Sequence, residues 1–229
     1  MGQTKRVCDE GKRVLTMKLI LIRHGRTEWN VQGRVQGRTD IPLDETGRMQ
    51  AQAVAKRLAG EKIDAIYASP LSRAFDTAAA IAAYHSCRIE KTEELTEIRF
   101  GEWEGKTARE LEDQYADLWQ DWNWILHPEI CRKMGAESAD EILIRSLKAL
   151  EKALCENAAD ATVVFVSHTM PIKLLSAYLI GLPSSKIRRM KLANCSLTEI
   201  AVTAPDHGEL WVWNDTCHLI GRTKRGEAL

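Results

Sequence analysis

Little in this 229-residue chain is one-sided. Lys plus Arg number 32 and Asp plus Glu also number 32, so the formal net charge is zero. That balance gives no electrostatic support to a nucleic-acid partner or an anionic membrane surface, although a local basic pocket is compatible with it. Cysteines are few and scattered, at Cys8, Cys87, Cys131, Cys155, Cys195 and Cys217. Lacking a CxxC pair or a dense framework, they point to reduced thiols in a cytoplasmic setting rather than to a disulfide scaffold or a zinc site. Long apolar runs are missing, and no signal peptide is legible; the longest runs are far too short to cross a bilayer. Low-complexity tracts and internal linkers are absent as well.

What is present suits a packed domain. Apolar residues make up 45% of the chain, enough for a real core, and charged residues 28%. The length fits one domain, or one domain with a sizeable excursion. Residues 1–16 are polar and mixed in charge, and are expected to be a mobile extension ahead of a single domain over 17–229.

The stretch MKLILIRHGRTEWN, Met17 to Asn30, is the most informative. Leu19 to Ile22 has the length and composition of a buried strand. It ends on Arg23-His24-Gly25-Arg26-Thr27, and an open α/β sheet places its ligand crevice at such strand ends. A Gly-rich segment follows and predicts a long loop. Asp44 then reads as an N-cap for a helix whose formers run from Met49 to Leu58, stopped at Gly60. Asp64 to Ala68 is a second strand. It leads into Ser69-Pro70-Leu71, with Ser69 as a cap, Pro70 in the first helical turn and Arg73 beside it, ahead of an alanine-rich helix ending near His85. An arginine at a helix N-terminus makes an anion site.

Arg88 to Glu94 predicts a third extended piece, leading to Glu97 among apolar neighbours. From Thr107 a helix is expected, then a patch with Trp119, Trp122 and Trp124. Residues 107–135 look inserted into the α/β alternation, as a lid or a wall beside the substrate. A helix from Ser138 to Asn157 follows. Thr162 to Val166 is the second clear buried strand, ending on Ser167-His168-Thr169 and opening a helix from Pro171 to Ile180. Two alternating segments, Ser196 to Val202 and Leu210 to His218, complete the pattern as a hairpin around Asp206-His207-Gly208.

Strands alternating with helices predict an α/β fold: a three-layer, open, mainly parallel sheet with helices on both faces. Its strand ends bring Arg23, His24, Arg73 and His168 towards one crevice. Two guanidinium groups and two imidazoles there suit a tetrahedral dianion, since arginine's planar fork matches phosphate oxygens.

The sequence at this point resembles the histidine phosphatase superfamily, the phosphoglycerate mutase-like fold. The likeness runs through Arg23-His24-Gly25 with Thr27 and Asn30, Gly33-Arg34-Val35-Gln36-Gly37, Asp40-Ile41-Pro42-Leu43 and Gly47 with Gln50-Ala51. It resumes at Ser69-Pro70-Leu71-Ser72-Arg73 with Thr77-Ala78, at Glu97 with Gly101-Glu102-Trp103-Glu104-Gly105, and at Ser167-His168. The resemblance implies that His24 is a nucleophile forming a phosphohistidine, while Arg23, Arg73 and His168 bind the non-bridging oxygens. It implies that Asn30 and Gln36 touch or steer the phosphoryl group, and that Glu97 is the general acid and then the base. A carboxyl beside Ile98 and Phe100 is expected to sit in apolar surroundings that raise its pKa. Neither metal nor other cofactor is implied.

Two departures from the family pattern are visible. Thr169-Met170 stands where Gly-Gly is common after the second histidine; a Thr169 backbone N–H is still expected to face the phosphate, with Met170 narrowing the pocket mouth. Glu97-Ile98-Arg99-Phe100-Gly101 replaces the mutase branch's Glu-Arg-His-Tyr-Gly pattern, and the interval to His168 (168 minus 97, or 71 positions) is short for a mutase insertion. The expected function is therefore hydrolysis of a small phosphomonoester. A phosphoglycerate mutase is the first alternative and a non-catalytic phospholigand-binding module the second. Sugar phosphates, phosphoglycerates, nucleotide-like phosphates such as α-ribazole phosphate, and broad unspecific hydrolysis all fit the motifs. The partner expected is the small phosphorylated substrate, with no nucleic acid and no membrane; oligomeric state is not legible, a homodimer being one option.

Overall fold

The computed structural model describes residues 16–120 and 122–219. The expected extension over 1–16 therefore lies, Thr16 apart, outside the described residues. Within them, six strands form one sheet in the order β3-β2-β4-β1-β5-β6: β1 Met17–Arg23, β2 Ala65–Ala68, β3 Ile89–Lys91, β4 Thr162–Ser167, β5 Leu197–Ala204 and β6 His207–Asp215. The first four run parallel, and β5 and β6 add an antiparallel edge.

Side-chain alternation along the central strands builds two cores. Ile20, Ile22, Val164 and Val166 face helices α2 (Glu45–Leu58) and α3 (Ser72–Ala82). Leu19, Leu21, Val163 and Phe165 face α6 (Ala139–Glu156) and α7 (Thr169–Leu179). A strand buried on both faces reads as a continuous apolar run, which is why both were visible in the sequence. A third core gathers Ile98, Phe100, Trp103, Trp124 and Ile125 with Met170 and Leu174 of α7. It joins the inserted segment, α4 (Ala108–Gln120) and α5 (Pro128–Lys133), to the outer face of α7. Trp119 and Trp124 both lie against the buried Trp103 ring, at 5.8 and 5.0 Å between centroids; the Trp122 side chain is outside the description.

Several local expectations need correction. Glu28–Val31 forms a short helix, α1, that was not expected and that reaches the first residue of the predicted loop; Thr27 and Asn30 close a reciprocal capping box at its start. Helix α3 starts at Ser72 rather than at Pro70, and its N-cap is Leu71 with no side-chain cap. Ser69 instead turns its hydroxyl towards His168. Helix α4 breaks at Tyr115 (φ −139°, ψ 38°), and α7 begins at Thr169, two residues before Pro171. The β5–β6 connection is a two-residue turn at Pro205–Asp206, so His207 and Gly208 already belong to the second strand.

Candidate active site

Strand register decides where the histidines meet. β1 and β4 pair residue for residue up to Arg23 opposite Ser167, so His24 and His168 leave adjacent strands side by side. Their ring centroids are 5.0 Å apart. β2 pairs with the other edge of β4, bringing Ser69 next to Ser167 and α3 with Arg73 to the same end of the sheet. Helix α2, on the same face of the sheet as α3, closes in on the β1 end: a Cβ on Gly25 would lie 2.6 Å from the Gly47 carbonyl oxygen, and one on Gly47 would lie 2.0 Å from that of Arg26. Two glycines therefore allow backbone-to-backbone contact directly under the His24 turn.

His24 is buried, and its Nδ1 lies 2.7 Å from the Gly25 carbonyl oxygen. A carbonyl only accepts, so Nδ1 carries the proton and the Nε2 lone pair is left for an electrophile. Burial, then the Arg73 and Arg23 charges, hold the His24 imidazole well below its ordinary pKa, which keeps it neutral. Burial and Arg73 do the same for His168. His168 Nε2 is 2.8 Å from Ser69 Oγ, which accepts the Leu71 N–H, while His168 Nδ1 is buried without a protein partner. A hydroxyl proton given by Ser69 to Nε2 makes Nδ1–H a donor for a ligand.

The arginines are held by carbonyls rather than carboxylates. Arg73 is fully buried and donates from its two terminal nitrogens to Thr39 O (2.9 Å) and Gly37 O (2.7 Å), with its Nε unpartnered. Arg23 donates to Leu192 O at 2.6 Å and also keeps a buried, unpartnered Nε. Burial pushes its guanidinium down to about 10, with Glu97 opposing the shift and Arg73 adding to it. Carbonyl partners fix an arginine's position without neutralising it, which leaves the charge for an anion. Gln36 is buried with its Oε1 unpartnered. Asn30 Oδ1 accepts from Thr27 N and Oγ1 and from Asn194 Nδ2, so the amide oxygen is engaged within the protein and the Nδ2 edge points elsewhere.

Glu97 reaches the same site but not in the expected setting. Its carboxyl is buried yet wrapped by backbone donors: Ile98 N (3.0 Å) and Met170 N (3.1 Å) on Oε1, and Thr169 N (3.0 Å) on Oε2. Ile98 and Phe100 turn their side chains into the third core instead. The expectation that the Thr169 N–H faces the phosphate is corrected by the same bonds, because that N–H is given to Glu97. The first turn of α7 thus positions the carboxyl.

Sequence reasoning missed the residues that hold this arrangement. Arg145 of α6 donates to the carbonyls of Glu94, Thr96 and Glu97, and pairs with buried Glu137, which also accepts from Arg99 N and Arg38. Glu104 accepts from Arg38 N, Thr39 N, Thr39 Oγ1 and Phe100 N, tying the Gln36 loop to the Glu97 loop. Asn194 Nδ2 and Cys195 N both donate to the His24 carbonyl. Lys173 also escaped notice, although it is the one charge between Met170 and Ile180, and that was a usable signal. Against Thr169 and Met170, the α7 residues that bond Glu97, lies a cavity of about 290 Å³ with Ile125, Leu126, Met170 and Ile187 in its walls. Ile125 and Leu126 of that lining come from the inserted segment. No helix among the described residues is long and apolar enough to cross a membrane.

Comparison with known proteins points the same way. A sequence model of the histidine phosphatase superfamily (branch 1) matches residues 19–216. Phosphoserine phosphatase 1 of Hydrogenobacter thermophilus is 34% identical over 203 residues, covering 89% of this chain and 94% of the relative. A probable phosphoglycerate mutase, GpmB of Photorhabdus laumondii, is 35% identical over 186 residues, covering 80% and 84%. Among solved structures, a variant of the phosphoserine phosphatase of Entamoeba histolytica in complex with phosphoserine superposes with a TM-score of 0.76 at 33% identity. It covers 89% of this chain and all (100%) of that one.

Proposed function

The chain belongs to the histidine phosphatase superfamily, branch 1, and is a phosphatase of a small phosphorylated metabolite; from that premise we propose that it works through a phosphohistidine on His24. The observation that carries this reading is the fixed tautomer: Nδ1–H on the Gly25 carbonyl, and a neutral ring with Nε2 as its lone pair.

In the first step Nε2 attacks phosphorus, the bond from phosphorus to the ester oxygen breaks, and the Glu97 carboxyl gives its proton to the departing alkoxide. Oε2 accepts one backbone N–H against two on Oε1, which makes it the oxygen with room for that proton. Arg23, Arg73 and the His168 Nδ1–H hold the three non-bridging oxygens throughout, and the Asn30 and Gln36 amides border the phosphoryl group. In the second step water attacks the phosphohistidine and passes a proton to the Glu97 carboxylate. The P–N bond breaks, and neutral His24 and inorganic phosphate are left. A cytosolic setting, where thiols stay reduced, suits the five described cysteines, which are all free.

The test is chemical trapping. Acid-labile, alkali-stable phosphoryl label should appear on His24 after brief exposure to a labelled phosphomonoester, and His24→Ala should release no phosphate. Label on a serine or a carboxylate, or near-normal turnover by the variant, overturns the assignment. Phosphate accumulating without added bisphosphoglycerate separates the phosphatase from a mutase.

A further inference from the structure

The leaving group of a phosphomonoester lies on the side of the acid that protonates it, and on that side the protein keeps the 290 Å³ cavity. Thr169, whose N–H holds Glu97, lines it, and Lys173 lies one helical turn further along the same face of α7. Lys173 is close enough to feel the charges of both Arg23 and Glu97. Thr169 and Met170, which line the cavity, are thus the two α7 residues whose N–H groups hold the Glu97 carboxyl.

Its chemistry is uneven. Ile125, Leu126, Met170 and Ile187 make apolar walls; the polar lining includes two cations, Lys173 and Arg188, and no carboxylate among the described residues. The Lys173 ammonium has neither a hydrogen bond nor an ion pair with the described residues. A half-buried ammonium that the Glu97 charge reaches only without direct pairing is costly in the free protein, and that cost falls when a ligand brings an anion into contact. An apolar substrate body alone would leave it unpaired.

We propose that this cavity takes the alcohol portion of the substrate and that Lys173 binds a second anionic group on it, a carboxylate or a second phosphate. The inference rests on the phosphatase reading and narrows its substrate class to small phosphomonoesters bearing another anion on a largely hydrocarbon body. Burial, with Arg23 adding to it, pushes the Lys173 ammonium down to about 8. The second anion is thus held while Lys173 is protonated and released as pH rises past that value.

The test uses matched esters: 4-carboxyphenyl phosphate, 4-carbamoylphenyl phosphate and 1,4-phenylene bisphosphate. The full-length enzyme should favour the carboxylate or the bisphosphate over the carboxamide in kcat/KM, the stronger of the two identifying the anion. Lys173→Met should cut that preference at least tenfold, chiefly through KM, and Lys173→Arg should restore most of it. The preference should also fade above about pH 8. An equal preference in wild type and Lys173→Met, or no preference in the wild type, overturns the subsite while leaving the phosphatase intact. If no ester releases phosphate, the phosphatase reading fails instead. Equilibrium titration of the same three esters then decides the subsite, and affinities that Lys173→Met does not alter reject it.

Discussion

His24 is distinguished from an ordinary buried histidine by the 2.7 Å contact between Nδ1 and the Gly25 carbonyl, one residue away. The contact is local, yet its consequence depends on neighbours far along the chain: Arg73 and Arg23 help keep the ring neutral. Glu97 shows the reverse dependence. Its carboxyl is oriented by Thr169 and Met170, more than 70 positions on, and its carbonyl by Arg145. Glu97→Gln removes the proton donor while keeping a side chain of the same shape. The expected result is a loss of about 100-fold or more in kcat for alkyl phosphates, and a much smaller loss for 4-nitrophenyl phosphate, whose leaving group needs no proton. Equal losses across a leaving-group series would reject Glu97 as the acid.

Helices and loops carry these side chains to the site, and α6 does so with a capping box. Ser138 Oγ accepts from Glu141 N, and Glu141 returns a bond to Ser138 N at 2.8 Å. The cap places Glu137 just before the helix and Arg145 two turns inside it, where they pair at 3.2 Å. Ser138→Ala should lower stability by about 1 kcal/mol, seen as a lower urea midpoint with an unchanged slope. An unchanged midpoint would mean the cap does not hold α6. The helix was visible in the sequence from its apolar spacing, and so was the Asp44 cap of α2. The short α1 was hidden because four residues are too few for periodicity to register, and its box pairs Thr27 with an Asn. The late start of α3 was hidden for another reason: the Ser69 hydroxyl is drawn to His168, 99 positions away, and reaches only the N–H of the Leu71 N-cap, not the first turn of the helix.

Burying two neutral imidazoles ties the stability of the whole molecule to pH. His24 and His168 both titrate well below 6.5 when folded, and His218 is also lowered by burial. Below about 6.5 the unfolded chain binds more protons than the folded one, so stability present above that pH is lost as pH falls towards the folded values. Each histidine takes away up to about 1.4 kcal/mol per pH unit over that interval. Urea midpoints measured from pH 7 to pH 5 should therefore decline. The decline should be shallower in His24→Asn, and a flat profile in the wild type would contradict a neutral buried pair. The acid limb of kcat/KM should correspondingly not report His24 near 6.5.

Residue types and local spacing were enough to place two buried strands, their terminal histidines, Arg73 near a helix start and Glu97 in a loop. Runs of aliphatic side chains and caps act within a few residues, and a single stretch of sequence contains all of that information. Convergence is different in kind. The side-by-side exit of His24 and His168 comes from strand register, the Arg23 guanidinium is held by a carbonyl 169 positions away, and Glu97 hangs on α6 and α7 together. Lys173 lay in plain view as one charge in an apolar helix, but only packing set it in a cavity with Arg188 and without a carboxylate among the described residues. Those outcomes rest on contacts between distant segments, whose geometry is settled when the layers pack and by nothing shorter in range.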